Sequence, residues 1–370
     1  MNKTPWRVAF IGLAHIHIRF LAEDFKKCPD FRVAAAADLP PSRPSLCEKR
    51  GTRPWHKNYL SEICGGNIYD DWRELLDKEK PDVVVCCSEN TRHAEIAMEI
   101  LSRGIHMIIQ KPLSQTYDEA RMMAYTAKKN GIILLTTWPS TWWPNMRLAK
   151  ELVDNGIIGR IFRIMYRNGR SLGPFSYGQG LTIEEQAAEW WYRKADGGGA
   201  YWDYCCYGAN LTRWFLETDA ISVQAMCANF NTPFAETDDY AAMLVQYPNA
   251  AAIIEASWTT MHTGVLNGPV ILGLEGTLVV DETGGIAGRV GESLVRVYKD
   301  GRPEEIKIAD PLPEHRCDIA KELAHVLRTG DKPHPTLDLP INLGAMAILD
   351  AGYRSLSTGQ RVMLPTTHWI

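Results

Sequence analysis

The sequence predicts a chain of two units. An N-terminal doubly wound parallel sheet with flanking helices (α/β) occupies residues 1–137, and an α+β domain with a large open, mainly antiparallel β-sheet occupies 138–370. Three observations carry this. Short apolar runs alternate with helical patterns through the first unit, as in βαβ units with right-handed crossovers. One run, Asp82–Cys87, is nearly all apolar, as a strand buried on both faces requires. From Arg160 onward apolar and polar residues alternate between Gly and Pro punctuation, as in a sheet with one covered face.

In the first unit, Arg7–Ile11 reads as a strand, Gly12–His17 as a turn and His17–Lys27 as a helix stopped by Pro29. Arg32–Ala37 is a second strand ending at Asp38. Asp71 and Glu74 form a capping pair for a helix through Lys78. His93–Arg103 is a helix with Ile96, Ile100 and Leu101 on one face and Gly104 past its end. The strand Ile105–Ile109 leads to a capping box, Thr116 with Glu119, opening a helix that stops at Gly131, and Ile132–Thr136 follows as a strand.

In the second unit a helix over Asn145–Asn155 closes on Gly156, and a strand runs through Ile161, Ile164 and Tyr166. Further strands are expected at Ser222–Phe230, Tyr240–Tyr247, Ala250–Thr260, Val270–Val280 and Ser293–Lys299. Helices over Glu314–Arg328 and Ile341–Leu356 pack back on the body. An open face on such a sheet marks a subunit contact, so a homodimer or homotetramer is expected through it.

The composition is that of a soluble globular protein, 45% hydrophobic and 23% charged. A net charge of −4 argues against nucleic acid or an anionic membrane surface as partner. The run Val8–Ile11 is too short for a signal-peptide core, and no stretch is long enough to span a bilayer. A cytoplasmic protein is expected. The nine cysteines include no CxxC and no zinc-finger spacing, so they read as small buried hydrophobes in a reducing compartment.

Two constellations carry chemistry. The first lies at strand ends, where open α/β sheets bind ligands. Lys111 closes the run Ile105–Gln110 and precedes Pro112, which fixes its own φ and pushes Lys111 to an extended conformation. The first turn stands where a Rossmann-type fold cradles a dinucleotide on G-x-G-x-x-G. Of that fingerprint only Gly12 is present, with Ala14 and His17 at the other positions. Gly12, Leu13, Ala14, His15 and Ile16 are the expected turn contacts. Asp38 suits a ribose 2′-hydroxyl and favours NAD, while Arg43 could meet a 2′-phosphate, so NADP is possible. His15 and His17 could also bind a divalent metal, but no carboxylate stands at a suitable strand end. No metal is expected.

The second constellation is Gly197-Gly198-Gly199 followed by Asp203 and Tyr207. Residues four apart on a helix share a face, so an acid and a phenol point into one cleft. Aromatic residues crowd the same cleft: Trp138, Trp142, Trp143, Trp190, Trp191 and Trp202. Flat rings suit the apolar face of a sugar. Arg193 could meet a polar substrate group.

Together these features resemble the Gfo/Idh/MocA family, glucose-fructose oxidoreductase, inositol dehydrogenase and their relatives, over essentially the whole chain. The resemblance is strongest from Val83 to Pro112, with Asn90 and His93 before a helix and Gln110-Lys111-Pro112 at a strand end, and at Gly198-Gly199 with Asp203. The family usually has glutamate at Gln110, histidine at Tyr207 and proline at Glu89. The resemblance implies NAD(P)-dependent oxidation or reduction of a sugar, glycoside or cyclitol, with Lys111, Asp203 and Tyr207 catalytic and Lys111 and Tyr207 relaying the proton. It adds Ser88, Asn90, His93, Gln110 and Lys111 to the cofactor contacts, and Lys111, Trp138, Trp142, Arg193, Asp203 and Tyr207 to the substrate contacts. Two alternatives stay open: an enzyme that retains NAD and cleaves or epimerises a sugar by transient oxidation, and a non-catalytic nucleotide-binding regulator.

Overall fold

A computed structural model describes residues 5–168, 173–178, 180–260, 268–281, 294–299 and 305–365. The first sheet has six parallel strands in the order β3-β2-β1-β4-β5-β6. These are β1 (Trp6–Leu13), β2 (Phe31–Ala37), β3 (Ile68–Tyr69), β4 (Val83–Cys87), β5 (His106–Gln110) and β6 (Leu134–Thr137). Every residue of β4 is fully buried, as its unbroken apolar run requires with helices on both faces.

The helices are α1 (Ile18–Lys27), α2 (Arg53–Ile63), α3 (Trp72–Glu79), α4 (His93–Ser102), α5 (Tyr117–Lys129) and α6 (Pro144–Asp154). Their caps follow the sequence. Asp71 accepts from Arg73 N, and Thr116 with Glu119 completes a reciprocal capping box. Helix α2 and strand β3 were not anticipated. Helix α2 starts on Arg53-Pro54, where proline suits the first turn, but its apolar spacing is weak.

The second sheet has nine strands in the order β14-β13-β12-β11-β7-β10-β9-β8-β15. They are β7 (Ile161–Arg167), β8 (Ser222–Ala228), β9 (Tyr240–Gln246), β10 (Ala251–Ser257), β11 (Val270–Gly273), β12 (Thr277–Asp281), β13 (Leu294–Tyr298), β14 (Glu305–Ile308) and β15 (Val362–Met363). Only β7 and β10 pair in parallel among them. The single strand expected at Val270–Val280 is two strands, because the chain turns at Leu274–Gly276 and Gly273 N bonds to Gly276 O. Ser293, the expected start of another strand, lies outside the described residues. The helix expected from Glu314 is a short 3-10 turn followed by Ile319–Thr329, because Asp318 caps a new start through Lys321 N.

The long helix Leu339–Thr358 packs on β8, on the helix Cys206–Leu216 and on α5, joining the two sheets. The other face of the second sheet is open. In register across it stand Val270, Met165, Ile253 and Leu244, the last three exposed.

Candidate active site

Lys111 sits just past the tip of β5, and its peptide bond to Pro112 is cis. Its side chain is 2% exposed. Burying an ammonium is unfavourable unless it is paired and hydrogen-bonded, and here both conditions hold. Nζ donates to Asp203 Oδ1 at 2.5 Å and to Asp203 O at 2.8 Å. The same ammonium lies 5.1 Å from the Tyr207 ring centroid and 5.9 Å from that of Tyr204, inside cation–π range. The other carboxylate oxygen, Asp203 Oδ2, accepts from Trp258 Nε1 at 2.9 Å. Lys111 and Asp203 therefore form a buried ion pair between the two sheets.

Asp203 and Tyr207 do converge on Lys111, but not as two residues of one regular α-helix. Tyr201–Cys205 is a π-helical turn that passes into the α-helix Cys206–Leu216. Hydrogen bonds in a π turn skip to i+5, and such turns concentrate at functional sites. The turn leaves the Asp203 carbonyl to receive the Lys111 ammonium. Tyr207 meets Lys111 through its ring face.

The three glycines allow close approach, and what approaches is the protein's own chain. A Cβ on Gly198 would stand 2.0 Å from Trp191 O, and one on Gly197 would stand 2.5 Å from Gln115 Nε2. Gly197 O in turn accepts from Asn90 Nδ2 at 2.8 Å. The glycines thus press the Trp190–Trp191 segment and the Asn90 turn together. Gly12 is similar. At φ +76°, its Cβ would fall 2.5 Å from Ser88 Cβ, so it is needed for the close approach of β1 to the end of β4.

In the first turn the amides are already engaged. Leu13 N donates to Asp38 Oδ1 at 3.0 Å, and Ala14 N and His15 N donate to Cys87 O. These three amides bond within the protein in this conformation. Ala14 O accepts from Trp190 Nε1, and the His15 ring lies against Trp191 at 4.6 Å. Asp38 Oδ1 also accepts from Leu39 N and from Arg53 at 2.5 Å. Arg43 is exposed and donates to Ala187 O at 3.4 Å, away from Asp38's partners.

Whether these strand tips suit a dinucleotide is tested by their unpaired polar atoms. His15 Nε2, Glu89 Oε2, Asn90 Oδ1, His93 Nε2 and Gln110 Nε2 are all buried without a hydrogen-bond partner. They come from the ends of β1, β4 and β5 and from the start of α4. Buried polar groups ordinarily find partners, so a ligand rich in oxygens and amides fits them. His93 Nδ1 pairs with Pro112 O at 2.9 Å, and Gln110 Oε1 accepts from Lys111 N. Burial drives the imidazoles of His17 and His93 down to about 3 and about 4, with the Lys111 charge acting in the same direction. His15 is lowered likewise, chiefly by burial. The rings around Lys111 are neutral at pH 7. Among the described residues no group of three or more His, Cys, Asp or Glu could hold a metal ion.

The aromatic residues divide. Trp142, Trp143 and Gln110 line a cavity of about 310 Å³ with His17, Phe20 and Thr137. Trp138, expected to face substrate, is instead core: its Nε1 donates to Asn342 Oδ1, and it backs the Tyr207 ring at 5.4 Å. Trp202 lines a different cavity, of about 300 Å³, beside Tyr353 and Asp238. Arg193 is half-buried, 3.5 Å from Asp196. Sequence reasoning missed Trp258 and Arg53. Both act through partners more than ten residues away, and neither sits in a local pattern.

Residues 6–137 match the model of the oxidoreductase family with an NAD-binding Rossmann fold, and residues 146–279 match the GFO/IDH/MocA C-terminal domain. The chain belongs to the Gfo/Idh/MocA family. Its first unit is the family's NAD-binding domain. Among characterised members, it is 30% identical over 179 residues to D-glucoside 3-dehydrogenase of Escherichia coli (strain K12), 48% of this chain and 47% of that one. The scyllo-inositol 2-dehydrogenase (NADP(+)) IolU of Bacillus subtilis (strain 168) is 24% identical over 83% of this chain and 84% of its own. The match thus spans about half of the first relative and most of the second. Aldose-aldose oxidoreductase from Caulobacter crescentus, solved with glycerol, shares the fold with a TM-score of 0.74 at 19% identity, covering 98% of this chain and 100% of that one. Among the described residues no helix is long and apolar enough to cross a membrane.

Proposed function

We propose that this Gfo/Idh/MocA member is an NAD(P)-dependent oxidoreductase acting on a secondary hydroxyl or ketone of a sugar, glycoside or cyclitol, with Lys111 as the proton-transfer residue. The observation that carries the reading is the buried Lys111–Asp203 pair beside the Tyr207 ring, at the strand tips of an NAD-binding domain. When bound, the nicotinamide takes up or supplies the hydride. The chain's own residues place the substrate and move the proton. An ammonium at Lys111 polarises a carbonyl oxygen during reduction and gives it a proton. In oxidation, the neutral amine receives the hydroxyl proton. Asp203, fixed by Trp258, holds the Lys111 side chain in one place and balances its charge. The ring of Tyr207 shields the ammonium from water on one side, and its hydroxyl completes the relay. Trp142 and Trp143 offer an apolar wall for a sugar ring. The relatives named for glucoside and inositol oxidation support this substrate class.

A second reading, that the cofactor is retained through a redox-neutral reaction, draws on the contacts tying the second unit over the cofactor turn: Trp190 Nε1 to Ala14 O, Ser42 to Asp196 and Lys49 to Glu185. A panel of sugars, glycosides and inositols, assayed for absorbance of reduced nicotinamide, separates the two. Net NADH formation supports the dehydrogenase. Sugar conversion without it, with nucleotide released on denaturation, supports retention. The open sheet face through Met165, Ile253 and Leu244 is proposed as the contact of a homodimer or homotetramer.

A further inference from the structure

We propose that Glu89, held by Arg53, is a cofactor-selecting residue: its free carboxylate oxygen accepts a ribose hydroxyl of NAD, and its charge, added to that of Asp38, repels the 2′-phosphate of NADP. This deepens the reading of the first unit as a nucleotide-binding domain and rests on it.

Glu89 follows the end of β4, and Asp38 follows the end of β2. The two strands flank β1, so both acids stand beside the Gly12 turn. Arg53, the first residue of α2, lies between them and is 8% exposed. Its guanidinium donates to Asp38 Oδ1, to Leu39 O at 3.2 Å and to Glu89 Oε1. Glu89 is 1% exposed, and its second oxygen, Oε2, has no partner. Glu189, from the segment of the second unit that covers this turn, is also buried with one unpaired oxygen, Oε1.

Asp38 and Glu89 therefore share one arginine, and two carboxylate oxygens here, Glu89 Oε2 and Glu189 Oε1, lack a donor. A buried acceptor left unpaired loses its hydration without return. A hydroxyl supplies the missing donor. A phosphate brings no donor and adds negative charge, and Arg53 is already committed to two carboxylates. Arg43, in the connection after β2, bonds Ala187 O instead.

The test measures NADH and NADPH dissociation constants by energy transfer from tryptophan to the reduced nicotinamide, for the full-length wild type and Glu89→Gln, with melting temperature read in parallel. The amide keeps the shape and removes the charge. The wild type is expected to prefer NADH, and the variant to shift the NADPH/NADH affinity ratio toward NADPH by about tenfold, about 1.4 kcal/mol. An unchanged ratio would overturn the proposal. So would an equal loss for both nucleotides with a lowered melting temperature, which marks Glu89 as a structural counterion of Arg53 only. If Glu89→Gln does not fold, the wild type with 2′-deoxy and 3′-deoxy NADH decides the matter: a tenfold or larger loss with one of them supports the hydroxyl contact, and binding equal to NADH for both rejects it. A wild type that binds neither NADH nor NADPH would overturn the nucleotide-domain reading itself, an outcome distinct from an unchanged ratio.

Discussion

The Lys111–Asp203 pair makes a quantitative prediction about stability. At 2.5 Å and an effective dielectric constant near 20, two unit charges attract by about 7 kcal/mol. Removing both ions from water offsets most of that, so the net worth of the pair is small, while loss of one partner strands the other and costs about 3–5 kcal/mol. Lys111→Met removes the ammonium and keeps most of the stem. It leaves Asp203 with the Trp258 bond but no cation. Asp203→Asn leaves the ammonium with one neutral acceptor and the backbone carbonyl. Each single variant should lose about 3 kcal/mol or more. The double variant should be more stable than the sum predicts, with a coupling energy of about 1–3 kcal/mol. Urea midpoints followed by tryptophan fluorescence read all four proteins. Additive effects, or single losses under about 0.5 kcal/mol, would refute the claim that the two groups form one buried unit.

Other perturbations follow from the same geometry. His93 is about 4 in the fold against 6.5 unfolded, lowered mainly by burial. A group depressed this way favours the neutral fold above pH 6.5, and that stability is lost as pH falls toward 4; the gap amounts to about 3 kcal/mol. His93→Gln should reduce, by one histidine's share, the fall of the urea midpoint between pH 6.5 and 4, since His15, His17, His56 and His334 are lowered too, and an unchanged acid limb would count against a buried neutral ring. Gly198→Ala places a methyl 2.0 Å from Trp191 O and should cost about 1–3 kcal/mol by overpacking, read as a lower urea midpoint; tolerance would mean the Trp190–Trp191 segment moves freely. Leu244→Arg puts a charge at the end of the exposed apolar row and should lower the mass measured by light scattering toward that of a single chain; an unchanged mass would place the subunit contact elsewhere.

What the sequence revealed, and what it hid, follows the range of the interactions. The β4 run and the Thr116–Glu119 capping box are local signals and form as read. Lys111 was legible because proline ends its strand at a sheet edge where ligands bind. Asp203 and Tyr207 were legible as partners, but the π turn that presents them was not, because it depends on Gly198 and Gly199 fitting against Trp191 O and Asp238. Trp258 carries no local signal, since its bond to Asp203 spans 55 residues. Arg53 opens a weakly periodic helix, and its role appears only when β2 and β4 come side by side. Trp138 shows the reverse error: aromatic residues near a cleft in sequence include core, and only its bond to Asn342 reveals which it is.

The most direct test of the functional account is turnover by Lys111→Met on whichever sugar, glycoside or inositol gives NAD(P)-linked conversion with the wild type, measured beside its NADH dissociation constant. The account predicts nucleotide binding close to wild type with kcat reduced by at least about a hundredfold, the scale of a lost general acid–base group. Substantial residual kcat in a variant that still binds NADH would contradict the assignment of Lys111 as the proton-transfer residue.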